Sequence, residues 1–202
     1  MKRSAEDSLK TRCEIIEAAQ EVFLRKGFAR TTLEDIAAEA RVTRGAVYHH
    51  FDSKSEILNA LCEMRYAAFG ESLKKTQDEQ SSPFDRLAES IVSYFSYLES
   101  NKKFADMQFL LTYKTELCDE IAGGMQTKIE SIRALTDTYA ELIGQMLKGV
   151  RQSQKLSKTE LAHILVCYQA GLSNLWLIDR KTISIKKDLR RVVTNFVKHL
   201  IS

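Results

Sequence analysis

Proline is almost absent from this sequence. Pro83 is the only one in 202 residues, and there are eight glycines. So few breakers argue against a sandwich or barrel built from many tight turns. Cysteine is scarce as well. Cys13, Cys62, Cys118 and Cys167 are scattered without a C-x-x-C pair, which argues against a zinc site and for reduced, buried, structural thiols. Redox sensing by one of them stays open. No apolar run approaches the ~18 consecutive residues that would span a bilayer. The opening MKRSAEDSLK lacks the apolar stretch of an export signal, so a cytoplasmic location is expected. Nor is there much charge of one sign: the net charge is +3, and residues 1–55 hold ten Lys/Arg against nine Asp/Glu. A nucleic-acid partner would need its positive groups gathered on one face.

What is present is apolar spacing of the helical kind. Hydrophobic residues make up 44% and charged residues 28%, enough apolar material for a core. Their i, i+3, i+4 recurrence, with no sustained alternation, predicts an all-α chain. The first helix covers residues 8–26, buries Ile15, Ile16, Ala18, Ala19, Val22 and Phe23, and stops at a left-handed Gly27. A short second helix follows Thr32, with Asp35 completing a capping box and Ile36 and Ala40 facing inward. Arg41, Val42 and Thr43 then lead to a third helix capped by Thr43. A fourth starts at Ser53 with a second box, S-K-S-E, and runs to about residue 76. Ser82 and Pro83 open a helix over 83–99. Further helices are predicted over 104–116, 119–150, 158–178 and 185–201.

The stretch VTRGAVYHHFDSK, residues 42–54, has the features of a DNA-reading helix. Two helices joined by a three- to four-residue turn, the second short and bearing a glycine, form a helix-turn-helix. Such a second helix lies in the major groove and offers its N-terminal residues to base edges. Gly45 and Ala46 allow close approach, and Ala46 suits a thymine methyl. Arg44 reaches a guanine or a phosphate, and Tyr48 and His49 offer donors, while Val47 and Phe51 point inward. Lys54, at the start of the fourth helix, suits a phosphate. His49 and His50 diverge by about 100° on a helix and make a poor chelate. No metal or cofactor is expected.

Over residues 12–58 the chain resembles the DNA-binding domain of the tetracycline-repressor (TetR) family. The matching pieces are I-x-x-A-A…F-x-x-x-G-F, T-T-L-E-D-I-A, V-T-R-G-A-V-Y-x-H-F and K-S-E-I-L. The resemblance implies a homodimer of nine or ten helices, with a DNA-binding domain over 1–53 and a ligand-binding and dimerisation domain over 54–202. It implies contacts to double-stranded operator DNA from Thr32, Thr43, Arg44, Gly45, Ala46, Tyr48, His49 and Lys54. Arg41 stands where this pattern very often has glycine. It is either left-handed, with its guanidinium on a phosphate, or in an ordinary conformation.

The remainder resembles, more loosely, the branch of the family that regulates multidrug efflux pumps. The pieces are FLLTYKTELCDEI, AGLSNLWL and SIKKDLRRVVTNFVKHLI. The resemblance implies that a small hydrophobic or aromatic inducer meets inward positions near Lys114 and Glu116, namely Gln108 and Thr112, with Val166 and Gln169 on the eighth helix. The residues themselves gather aromatic and methionine walls, Tyr66, Phe69, Met107 and Tyr139 among them, with Leu111 beside them. Met125 and Tyr168 belong to the same set. Ordinary core packing accounts equally well for such a stripe. Leu172, Leu175, Trp176, Val192, Val193, Phe196, Val197 and Leu200 offer more apolar surface than a terminal helix pair needs, and are expected to form a two-fold dimer seam.

The expected function is a transcriptional repressor released from its operator when an inducer binds, controlling an efflux operon. A DNA-binding regulator answering to a partner protein, or an activator, is the alternative. An enzyme is disfavoured: His163 and Cys167 lack a third partner, and GQMLKGV puts Val150 where a phosphate-binding loop needs lysine.

Overall fold

The structure, a computed structural model, describes residues 5–74, 80–115, 122–148, 156–180 and 185–201, with backbone alone for 122–125, 185–188 and 201. Among the described residues there are nine α-helices and no strand. They are α1 (Ala5–Lys26), α2 (Leu33–Ala40), α3 (Arg44–His50), α4 (Lys54–Lys74), α5 (Pro83–Ser100), α6 (Lys102–Phe109), α7 (Ala122–Met146), α8 (Lys158–Ile178) and α9 (Ile185–Ile201). The chain forms two compact units. One is Met1–Tyr66 with Asp106–Lys128, and the other is Ala67–Ala105 with Ile129–Ser202.

In the first unit, α1, α2, α3 and the start of α4 enclose a core of Ile15, Ile16, Val22, Phe23, Phe28, Ile36, Val47, Phe51, Ile57, Leu58 and Leu61. Burying each such side chain is worth about 1.5–3 kcal/mol. Local signals set the ends of these helices. α1 stops at Gly27, φ 80°, and α2 opens with the expected box of Thr32 and Asp35. The inner face of α2 is Ile36 with Ala37 rather than Ala40, which is half-buried. Position 37 is one residue on from Ile36, so the buried arc is centred earlier on this eight-residue helix than the spacing suggested. At the fourth helix, Ser53 Oγ does accept from Glu56 N–H, but Glu56 accepts from Asp52 N–H (2.8 Å). Arg65, buried on α4, donates to Gln20 Oε1 and pairs with Glu17 at 2.6 Å, fastening α4 along α1.

The segment expected as one helix over 104–116 is interrupted. α6 begins earlier, where Asn101 Oδ1 accepts from Phe104 N–H, and ends in a π-helical turn, Leu110–Lys114. The wide turn coincides with carbonyls taken up by other partners: Thr115 Oγ1 donates to Leu111 O, and Phe28 N–H donates to Lys114 O at 3.2 Å. Glu116, Cys118 and Ile121 lie outside the described residues, as does the Met125 side chain.

In the second unit α9 packs chiefly on α5, and Arg190 pairs with Glu89 across that contact. Ser82 caps α5 with Pro83 in its first turn, and Ser157 and Glu160 form a capping box on α8. α8 is long and apolar enough to cross a membrane by length and composition. Core helices share that property, and α8 turns Leu161, Leu165, Gln169 and Trp176 inward. Cys62 is buried as expected, but Cys13 and Cys167 are exposed. Each falls on the outward side of its helix, where residue type alone does not determine burial.

Arg41 is left-handed, φ 56° and ψ 37°, and its N–H closes α2 onto the carbonyls of Ala37 and Ala38. A side chain in that conformation costs about 1–2 kcal/mol. Arg41→Gly is therefore expected to raise unfolding stability by about 1 kcal/mol, measured as a higher urea midpoint at unchanged slope.

Candidate nucleic-acid interface

α3 is only seven residues long, too short to hold its shape alone, and it is set by its two ends. At the start, Thr43 is extended and its Oγ1 accepts from Ala46 N–H (3.2 Å). At the end, Phe51 is buried to 1% exposure, closes the helix through its N–H to Val47 O, and carries Arg12 above its ring. Val47, fully buried, is the inward anchor. The other residues face outward: Arg44, Gly45, Tyr48 and His49 are exposed, and Ala46 and His50 are half-buried. The side chains expected to read DNA thus share one surface, with Thr43, Arg41 and Thr32 exposed beside them.

Arg44 is not a loose cation on that surface. One guanidinium nitrogen meets Glu34 of α2 at 2.9 Å. Another donates to Tyr48 Oη at 3.2 Å, and the group sits 5.2 Å from the Tyr48 ring centre. The Tyr48 hydroxyl first, and Glu34 next, hold Arg44 above its ordinary pKa. These two partners fix the direction of the Arg44 guanidinium on the exposed surface. Glu34 escapes a reading of the sequence because no periodicity links it to a residue ten positions on. Asp35, beside it, is held below the usual carboxylate range by Lys26, at 2.6 Å, and by the Thr32 backbone.

Lys54 is also engaged. Its ammonium donates to Phe28 O (3.3 Å) and Ala29 O (3.1 Å) and lies 4.7 Å from the Phe28 ring centre. A phosphate contact would be made by a lysine already held against the turn between α1 and α2.

The residues expected to meet an inducer fall in both units. In the first, Met107, Gln108 and Leu111 are buried, and Tyr66 and Thr112 half-buried. Gln108 Nε2 donates to Tyr66 Oη at 3.3 Å. In the second, Tyr139 is fully buried and donates to Gln169 Oε1 at 2.7 Å. Burial pushes the Tyr139 phenol far up, eased by a hydrogen bond with Ser90. Gln169 O accepts from Ser173 Oγ, which also bonds Tyr94 Oη. Phe69 is half-buried in an aromatic group with Tyr94, Tyr97 and Phe104, ring centres 5.1 to 6.1 Å apart. Val166 is half-buried on α8.

The residues expected on a dimer seam separate. Leu175 and Val192 are exposed, and Leu172, Phe196 and Leu200 half-buried. Trp176, Val193 and Val197 are instead buried in their own chain. For Val193 and Val197 the reason is the packing of α9 on α5, which the apolar pattern of α9 alone does not reveal. Phe196 stacks on Tyr168, centres 4.1 Å apart. Ile164 and Ile178, exposed on α8, fall on the stripe with Leu175 and are absent from the seam expected from sequence.

Residues 15–61 match the family model described as bacterial regulatory proteins, tetR family. Over 197 residues, 96% of this chain and 92% of the relative, the sequence is 28% identical to the HTH-type transcriptional regulator TtgR of Pseudomonas putida. It is 28% identical over 205 residues, 99% of this chain and 96% of the relative, to the HTH-type transcriptional repressor BepR of Brucella suis. Among solved structures it is similar to NalD, the secondary repressor of the MexAB-OprM multidrug efflux pump in Pseudomonas aeruginosa. That likeness has a TM-score of 0.84 at 26% identity and covers 96% of both chains.

Thr43 is the side chain that caps α3. Thr43→Ala is expected to destabilise the first unit by about 1 kcal/mol, and Thr43→Ser to restore it; chemical denaturation followed by helical circular dichroism measures both.

Proposed function

That this chain is a TetR-family regulator is the premise from which we propose that it represses transcription of an efflux operon by binding a two-fold symmetric operator as a dimer. The observation that carries the reading is the exposed surface of α3. Arg44, Gly45, Tyr48 and His49 lie outward on a helix pinned from behind by Val47 and Phe51. A helix so fixed presents its first turn to a major groove, where bidentate contacts of arginine to guanine and apolar contacts to thymine carry sequence information. Arg41, Thr32 and Lys54 flank the groove contact and suit the phosphates. The efflux assignment follows the relatives, NalD in particular.

The dimer uses the outward stripe of α8 together with α9. Ile164, Leu175, Ile178 and Val192 are exposed apolar side chains there, Ile178 at 68% and Leu175 at 55%. A symmetric operator demands such a pairing, since each protomer reads one half-site. A small hydrophobic or aromatic guest in the domain over residues 54–202 weakens operator binding. α4 is the natural carrier within the first unit. It holds Lys54 against the carbonyls of Phe28 and Ala29 at one end, and Tyr66 against Gln108 further along. A coupling of about 1–3 kcal/mol between guest and operator suffices to switch occupancy.

Selection of binding sequences from random duplexes is expected to enrich a two-fold symmetric site. On that site, Arg44→Ala should weaken binding by about 1–3 kcal/mol. Glu34→Gln should strengthen binding to all DNA and steepen its dependence on salt, measured by fluorescence anisotropy. Enrichment of no sequence sinks the repressor reading. Leu175→Glu is expected to give a folded monomer in analytical ultracentrifugation, with operator affinity lost alongside; a mutant that stays dimeric places the seam elsewhere.

A further inference from the structure

Glu34 puts a carboxylate beside the residues expected to read DNA, where the phosphate backbone repels it. It stands in the first turn of α2 with its side chain 51% exposed, and Oε1 lies 2.9 Å from Arg44 Nη1. The other two carboxylates of α2 are used differently. Asp35 is held by Lys26 and the Thr32 backbone, and Glu39 by Arg25 at 2.6 Å. Arg25 and Lys26 end α1, so those two pairs fasten α2 to its neighbour. Glu34 is paired instead with an arginine whose own expected partner is nucleic acid.

The geometry of Arg44 decides what it offers. Glu34 meets Nη1, while Tyr48 Oη accepts from Nη2 at 3.2 Å, with the Tyr48 ring centre 5.2 Å from the guanidinium carbon. Contacts on two different nitrogens hold the plane of the group as well as its direction. A guanidinium carries a fork of N–H donors, so a bidentate acceptor can still be served alongside these partners. Guanine is such an acceptor through O6 and N7 in the major groove, and the cytosine paired with it sets its N4 amino donor beside O6.

Read across the groove, a G·C pair is therefore acceptor, acceptor, donor. Arg44 with Glu34 at its side is donor, donor, acceptor. An A·T pair sets the adenine amino group against the guanidinium and thymine O4 against the carboxylate. The reversed C·G pair fails at both ends, amino against guanidinium and guanine N7 against carboxylate. We infer that Arg44 and Glu34 act as one reader of a G·C pair in each half-site, Arg44 taking the guanine edge and Glu34 accepting from the cytosine amino group. This rests on the reading of the chain as an operator-binding repressor, and it assigns one base pair of that operator. Glu34 becomes a specificity-determining residue contributed from outside the recognition helix.

The test uses the full-length protein and the symmetric site selected from random duplexes. Each G·C pair of one half-site is replaced in turn by 7-deazaguanine with cytosine, which lacks N7, or by guanine with N4-methylcytosine, whose methyl group takes the place of the amino hydrogen facing the groove. Affinity is read by fluorescence anisotropy at fixed salt, as a ratio to the unmodified site. The ratio cancels the general gain in DNA binding that loss of one carboxylate brings. At one G·C pair the wild type is expected to lose on the order of tenfold with either analogue. In Glu34→Ala the N4-methylcytosine penalty should vanish there while the 7-deazaguanine penalty persists. In Arg44→Ala the 7-deazaguanine penalty should vanish. A carboxylate that only steadied Arg44 would leave the wild type indifferent to N4-methylcytosine at every position, and that result overturns the inference. So does an N4-methylcytosine penalty that survives in Glu34→Ala. A clear selected site without a G·C pair in each half-site sinks this assignment alone, whereas selection that enriches no sequence sinks the repressor reading and the assignment with it.

Discussion

The burial of Val47 and Phe51 in the core of the first unit is the constraint on which the rest depends. A seven-residue helix gains too little from its own hydrogen bonds to persist in water. Two side chains at 0% and 1% exposure hold α3 at one orientation, and every outward residue inherits that orientation. Arg44, Tyr48 and His49 form one surface because they have no other side left to occupy. The Thr43 cap sets where the helix starts, and Arg41, bent into the left-handed region, sets how sharply the chain turns to reach it. DNA reading on this scaffold is a consequence of packing behind the helix as much as of the residues in front.

The peptide of Phe28 extends that logic to the rest of the first unit. Its N–H donates to Lys114 O at the end of the π-helical turn, and its carbonyl accepts from Lys54 at the start of α4. Gly27, at φ 80°, makes the turn that presents both groups, and glycine is the residue that adopts it without penalty. One residue therefore links the π-helical turn after α6 to the lysine expected at the operator. Nearby, Arg44 is held in place by Glu34 and Tyr48. The cation is aimed by Glu34 and Tyr48 rather than amplified by neighbouring positive charge.

Much of this was legible before any coordinates. Capping residues act on the N–H groups two or three positions away, so Thr32, Thr43, Ser82 and Gly27 announced their helix ends locally. The all-helical architecture and the helix-turn-helix followed from apolar spacing and turn length. The outward surface of α3 was legible for the same reason: on so short a helix, naming the inward residues names the outward ones. Long-range polar partners were not legible. Nothing near Arg44 in sequence points to Glu34, and nothing near Tyr139 singles out Gln169 as its acceptor.

The sequence by itself determined the helices, their caps and the residues of α3 that face outward, because each depends on neighbours within one or two turns. Tertiary structure decided which apolar faces remain for a partner. Val193 and Val197 carry the same hydrophobicity as Val192, yet α5 covers the first two and leaves the third at 44% exposure. It also decided that Cys13 and Cys167 lie outside and that Leu110–Lys114 widens into a π turn. Each depends on what a distant segment brings to the spot, and helical periodicity carries no information about that.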